Sequence, residues 1–154
     1  MMSGIRGADT KPEMLIRTGL HALGWRYRLH VKTLPGKPDL VFPRRKAVIF
    51  AQGCFWHGHA CHLFRLPRTR PDFWREKIAG NINRDLRTRE LLLAEHWRVA
   101  EVWECQLRGR DRPPLAEVLI RCDAFLRSDQ STLSVGSDKR VQLNTDATAI
   151  ESET

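Results

Sequence analysis

Between positions 53 and 61 the chain reads Gly53-Cys54-Phe55-Trp56-His57-Gly58-His59-Ala60-Cys61, and this stretch is answered much later by Cys105. Cys54, His59, Cys61 and Cys105 form a soft-ligand set able to close a tetrahedral zinc site. Thiolates and imidazole hold zinc tightly, and a Cys₃His set leaves no open coordination position, so the ion would be structural. Any fold that uses this set must bring the Cys105 segment against the 53–61 loop. Phe55, Trp56 and His57 would then sit on a rigid platform, and function is expected to lie in what that platform presents.

At 154 residues with 42% hydrophobic composition, the chain is long enough for one domain with a real core. It contains no apolar run of the ~18 residues needed for a membrane span and no signal-peptide core, which makes the cytoplasm the expected compartment. Four cysteines in such a context favour metal ligation or free thiols over disulfides. The net charge of +8 is uneven. From Ser128 onward five acids face two bases, so residues 1–127 carry 24 bases against 13 acids, a net of +11. A folded unit with that excess suits nucleic acid or another polyanion, although a basic surface can also serve solubility alone.

Thr10-Lys11-Pro12-Glu13 is a capping-box pattern with proline in the first turn. Met14, Leu15, Leu20 and Leu23 continue it as an amphipathic helix that Gly24 can stop. Trp25 to Val31 alternates like a half-buried strand. Asp39–Phe42 and Ala47–Phe50 read as a hairpin around Pro43-Arg44-Arg45-Lys46. A basic connector with Arg65, Arg68 and Arg70 leads into a long helix from Asp72 to about Glu95, with Phe73, Ile78, Ile82, Leu86 and Leu93 as expected buried positions. Val99–Trp103 reads as a strand and Pro114–Leu126 as a last helix holding Cys122 as a small buried side chain. Past Ser128 the Ser/Thr/Asp-rich chain lacks period and aromatics, and is expected to be disordered. The order predicts an α/β domain with a mixed sheet over residues 1–127, and a tail over 128–154.

Several residues in this frame could carry chemistry. Asp39, after Pro38 at a strand start, would lie beside the backbone carbonyl of Ala51. Carboxylate and carbonyl oxygens are hard ligands suited to Mg²⁺, yet a Pro-Asp pair is also a common way to begin a strand. Glu13 is explained by helix capping alone. His57 is surplus to the zinc set, and is either a general base or a surface imidazole. Asn81 and Asp85 share a helix face that could equally be an exposed polar stripe. Phe55 and Trp56 are adjacent in a loop and cannot both enter one core, which leaves a ring free to wedge between bases.

Leu34-Pro35-Gly36-Lys37-Pro38-Asp39, Val48-Ile49-Phe50, Gly53-Cys54-Phe55-Trp56-His57 through Cys61, Phe73-Trp74 with Glu76-Lys77-Ile78, Asn81, Arg84-Asp85 and Val102-Trp103-Glu104-Cys105 together resemble the very short patch repair (Vsr) DNA mismatch endonucleases. Ile5-Arg6 and Asp9-Thr10-Lys11-Pro12-Glu13 fit the same family, and the resemblance runs from about Ser3 to Arg112. It implies a restriction-endonuclease-like (PD-(D/E)XK-type) α/β fold that nicks one strand of duplex DNA 5′ of the thymine in a T:G pair. Such pairs arise when 5-methylcytosine deaminates. By position, Asp39 and the Ala51 carbonyl would bind catalytic Mg²⁺, and His57 would deprotonate or order the attacking water. Glu13 and Asp85 would support the metal water and the catalytic groups, with Gln52 beside them. Cys54, His59, Cys61 and Cys105 would hold structural zinc, while Phe55, Trp56, Trp74, Met14 and Asn81 would meet the DNA. The implied partners are T:G-mismatched duplex DNA, mismatch-repair proteins and a cognate cytosine methyltransferase system, for a monomer working on the nucleoid.

The family commonly has a histidine where this chain has Gln52 and a hydroxyl residue at Ala51, and usually a longer basic arm before the first helix. A glutamine amide can hold a water or a phosphate oxygen, but it cannot take up a proton at neutral pH. Gln52 therefore favours, as the alternative, a non-catalytic zinc-containing module that binds mismatched DNA. A third reading makes His57 a ligand in an open zinc site.

Overall fold

The computed structural model describes residues 9–143. Helix α1, Lys11–Ala22, begins where Thr10 Oγ1 accepts the Glu13 N–H at 3.4 Å. The Glu13 carboxylate reaches back to the N–H of Asp9, one residue before the cap. The helix stops in a Schellman turn, with Gly24 N–H on His21 O and Trp25 N–H on Leu20 O. Gly24 sits at φ +102°, a conformation that favours glycine.

Strands β1 (Arg28–Leu29), β2 (Leu40–Phe42), β3 (Ala47–Gln52), β4 (Arg98–Trp103) and β5 (Thr132–Val135) form one sheet in that spatial order. β1, β2 and β3 are antiparallel neighbours, whereas β3–β4 and β4–β5 are parallel. Helix α2, Pro71–Ala94, makes the crossover from β3 to β4, and α3, Leu115–Arg127, the one from β4 to β5. The expected mixed α/β sheet is present.

Alternation along the strands assigns the two faces. Leu40, Phe42, Ala47, Ile49, Ala100 and Val102 point to the core shared with Ile16 and Leu20 of α1 and with Val118, Cys122 and Phe125 of α3. Val41, Val48 and Val99 point the other way, to Leu92 of α2. Covering both faces explains why β2 and β3 read as apolar runs rather than as alternating patterns. Cys122 is fully buried, and desolvation pushes its thiol up to about 12. Among the described residues, no helix is long and apolar enough to cross a membrane.

Three expectations need correction. The strand expected over Trp25–Val31 shrinks to Arg28–Leu29, because the helix cap uses Trp25 N–H and His30 turns to φ +49°. Trp25 and Tyr27 still pack edge-to-face on Phe42. In α2, Phe73 and Leu86 are exposed rather than buried, since the helix's fully buried residues are Leu92, against the sheet, and Ile78, beside Gly58 of the loop. The largest difference lies past Ser128. Thr132–Val135 pairs with β4, and residues 137–141 bind the cysteine–histidine loop, so the domain does not end at residue 127. Polar composition misled here, because β5 is an edge strand with a single fully buried residue, Val135. Residues 144–154 of the expected tail lie outside the described residues.

Candidate functional site

The parity that sends Val41, Val48 and Val99 toward α2 also governs the strand ends. Asp39, Phe50, Gln52, Glu101 and Trp103 therefore share that face, with Phe50 opposite Glu101 and Gln52 opposite Trp103 in the parallel register. The carboxyl ends of β3 and β4 open into a cleft whose lining includes Asp39, Gln52, His57, Asp85 and Glu101. Crevices at this end of parallel strands are common ligand sites.

Beside the cleft, Cys54, His59, Cys61 and Cys105 bring one ligand atom each to within 4.8 Å of one another. His59 Nδ1 lies 3.5 Å from Cys54 Sγ and 3.6 Å from Cys105 Sγ. Its Nε2 lies 2.5 Å from the carbonyl of Ser137, and a carbonyl can only accept, so the proton is on Nε2 and the Nδ1 lone pair faces the sulfurs. Burial lowers the His59 pKa, which keeps the ring neutral. Burial also pushes the Cys54 and Cys105 thiols up, and the neighbouring Cys61 thiol adds to the rise of both. A cation amid the sulfurs would remove that penalty, so the donor set fits a tetrahedral metal. The His59 ring stacks on buried Trp103 at 4.1 Å and 8°. Gly58, at φ +61°, has no room for a side chain, because a Cβ would lie 2.6 Å from Ile82 Cδ1.

Helix α2 holds the loop's other side. Asn81 Nδ2 donates to Trp56 O at 2.8 Å, and Asp85 Oδ2 meets His57 Nδ1 at 2.6 Å. The helical face shared by Asn81 and Asp85 thus grips two successive loop residues. Asn81, expected at the DNA, has both ends of its amide engaged within the protein, because its oxygen also accepts from Arg84. With Nδ1–H given to Asp85, His57 keeps Nε2 as an acceptor with no partner among the described residues. His57 stands apart from the four-ligand cluster, so it does not complete an open zinc site.

Asp39 Oδ2 accepts the Ala51 N–H at 2.7 Å. Desolvation pushes the Asp39 carboxyl up to about 6, partly offset by that hydrogen bond, and Glu13, His30 and His57 act on it through their charges. Glu13 is buried and meets Arg17 at 2.9 Å and His30 Nε2 at 2.7 Å. Beyond capping α1, Glu13 therefore anchors a basic pair behind Asp39. Met14 is half-buried in the same first turn.

A raised carboxyl pKa has a defined pH signature. Ionising Asp39 costs the folded state nothing below the ordinary carboxylate pKa. The cost grows as pH rises from that ordinary value towards about 6 and is complete above it. Asp39→Asn should therefore stabilise the metal-free protein by ~3 kcal/mol at neutral pH and far less near pH 4. Denaturant unfolding of both forms at the two pH values checks this, and an equal difference at both would refute it.

Phe55, Trp56 and Trp74 form an aromatic cluster with centroids 5.2 to 5.6 Å apart. Phe64 stacks on Phe55, and Phe73 packs on Trp74. None of these rings is fully buried, and Arg65, Arg68 and Arg70 are exposed on the adjoining connector.

Three contributors gave little warning in the sequence. His30 carries no distinguishing pattern. Glu101 is the one charge in the otherwise apolar run Val99–Trp103, which is itself a signal. Arg140 was hidden in the presumed tail.

A cleft that pairs a desolvated carboxylate with a histidine–aspartate couple, beside arginines and half-open rings, suits hydrolysis of a polyanion that can stack, which is the work of a nuclease. Comparison with known proteins specifies which kind. The profile of the family described as DNA mismatch endonuclease Vsr matches residues 1–63. The type II nicking enzyme V.XorIIP of Xanthomonas oryzae pv. oryzae is 51% identical over 107 residues, spanning 70% of this chain and 79% of that protein. The DNA mismatch endonuclease Vsr of Escherichia coli is 45% identical over 111 residues, 72% of this chain and 71% of its own. The type II nicking enzyme V.NmeAIP of Neisseria meningitidis is 42% identical over 110 residues, 71% of this chain and 79% of its own. The chain belongs to the Vsr DNA mismatch endonuclease family, and is a DNA endonuclease.

Proposed function

We propose that the protein nicks one strand of duplex DNA 5′ of the thymine in a T:G mismatch, the product of 5-methylcytosine deamination, and so starts very short patch repair. The proposal includes a restriction-endonuclease-like fold, for which the mixed sheet with its site at the ends of β3 and β4 is the support. The observation that carries it is the union, on one clamped loop, of His57 held by Asp85 with the ring cluster around Trp56.

In this reading Cys54, His59, Cys61 and Cys105 hold zinc. Asp39 and the Ala51 carbonyl would hold Mg²⁺, and the under-compensated Asp39 carboxylate fits a hard cation. When bound, that ion supplies charge neutralisation at the scissile phosphate. His57 Nε2 takes the proton of the attacking water, while Asp85 accepts Nδ1–H and stabilises the charged ring. Phe55, Trp56 and Trp74 wedge beside the mismatch, where unstacking is least costly. Exposed arginines on the connector bind phosphates, which makes affinity fall with salt.

The test is a strand-resolved nicking assay on T:G, T:A and C:G duplexes with Mg²⁺ or with EDTA. The expected product is one nick on the thymine strand of the T:G duplex in Mg²⁺ alone. Cleavage of matched duplexes, or binding without any nick, would refute the reading.

A further inference from the structure

We propose that Arg140, from the segment after β5, is a positioning residue that locks His57 and Asp85 in their working geometry. This inference rests on the nuclease reading of the site. Arg140 NH1 donates to Asp85 Oδ2 at 3.0 Å and to His57 O at 3.1 Å. Asp85 Oδ2 is also the atom that accepts His57 Nδ1–H, so one guanidinium nitrogen holds both partners of the hydrogen bond that orients the ring. The NH2 group lies 3.6 Å from Glu101 Oε2, and the guanidinium sits 4.8 Å from the Trp103 ring centroid. The side chain is nearly buried, at 11% exposed.

The backbone on either side of Arg140 is fixed to the same loop. Ala60 N–H donates to Lys139 O at 3.0 Å, Val141 N–H donates to Gly58 O at 2.7 Å, and residues 59 and 140 form an antiparallel bridge. The far end of the guanidinium engages what is unusual in this chain. Glu101 is buried, its Oε2 accepts from Gln52 Nε2 at 3.3 Å, and its Oε1 has no hydrogen-bond partner among the described residues. A buried carboxylate needs a countercharge, and Arg140 is the cation that reaches it. Where the family commonly has a histidine, this chain thus has an amide, a carboxylate and a guanidinium in sequence, ending on the catalytic pair. A bidentate planar fork suits that role better than a lysine, which delivers a single point charge.

Arg140→Ala alone would strand Glu101, so the informative variant is the double Arg140→Ala/Glu101→Gln, compared with Glu101→Gln and with the full chain in zinc-loaded form. Misplacing a catalytic group costs ~10²-fold, so the expected loss is ~10²-fold in kcat on T:G duplex, with KM and zinc content held. Free guanidinium should restore part of the loss in the double variant and none in His57→Ala. A separate readout is the downfield Nδ1–H proton resonance of His57, expected in the full chain and absent from the double variant. Unchanged kcat and resonance would overturn the inference, as would a loss that tracks zinc content or melting temperature. A resonance that depends on Arg140 in a protein that does not nick would uphold the positioning and refute the nuclease assignment instead.

Discussion

Asp39→Ala should abolish nicking of a T:G duplex and leave binding to that duplex nearly intact. The two activities separate because they use different atoms. Asp39 is the proposed hard-ligand carboxylate just before β2, hydrogen-bonded to Ala51 N–H across the strand ends. The rings expected to grip DNA sit on the cysteine–histidine loop and on α2. Removing the carboxylate takes away the metal's only anionic protein ligand in the proposed set. Metal-assisted charge stabilisation is worth several kcal/mol, so a loss of ~10³-fold or more is expected. Binding also gains slightly, because a negative group facing phosphate is gone. Gel-shift titration beside single-turnover nicking checks both halves. A variant that nicks as fast as the parent would remove Asp39 from the chemistry.

On the proposed zinc assignment, stripping the metal, or replacing Cys105 with serine, should collapse the fold around the loop rather than merely slow the reaction. Cys54 and Cys105 are buried with Trp103 in a small cluster separate from the main core, and Gly58, His59 and Ala60 hold the 137–141 segment in place. Structural zinc contributes ~10 kcal/mol of apparent binding free energy in small domains, which rivals the ~5–15 kcal/mol total stability of a typical fold. Chelation should lower the melting temperature sharply and expose Trp56 and Trp103 to solvent. Zinc counting with thermal melts and tryptophan emission tests this. An apo protein that melts with the holo protein would show the cluster to be inert.

The cysteine–histidine cluster was legible because its chemistry is local: four soft donors need only be counted and spaced. The hairpin, α1 and α2 were legible from capping, turn and periodicity signals. Phe73 and Leu86 were misjudged because α2 rests only lightly on the sheet, and periodicity cannot tell a buried stripe from one that faces a ring cluster. Asn81 and Asp85 were seen as a pair, but their targets, Trp56 O and the His57 ring, depend on tertiary placement. β5 and Arg140 escaped for a further reason. An edge strand gains its stability from the neighbour it pairs with, and its own composition carries little trace of that.

Asn81 and Asp85 lie one helical turn apart on α2, and each grips a neighbouring residue of the loop. A turn of helix advances about 6 Å over four residues and resists stretching. On the proposed reading, the spacing between the ring that pries the duplex and the imidazole that activates the attacking water is thereby graduated on a rigid ruler. Loop drift or helix tilt would carry wedge and blade together, leaving the offset between lesion and incision unchanged.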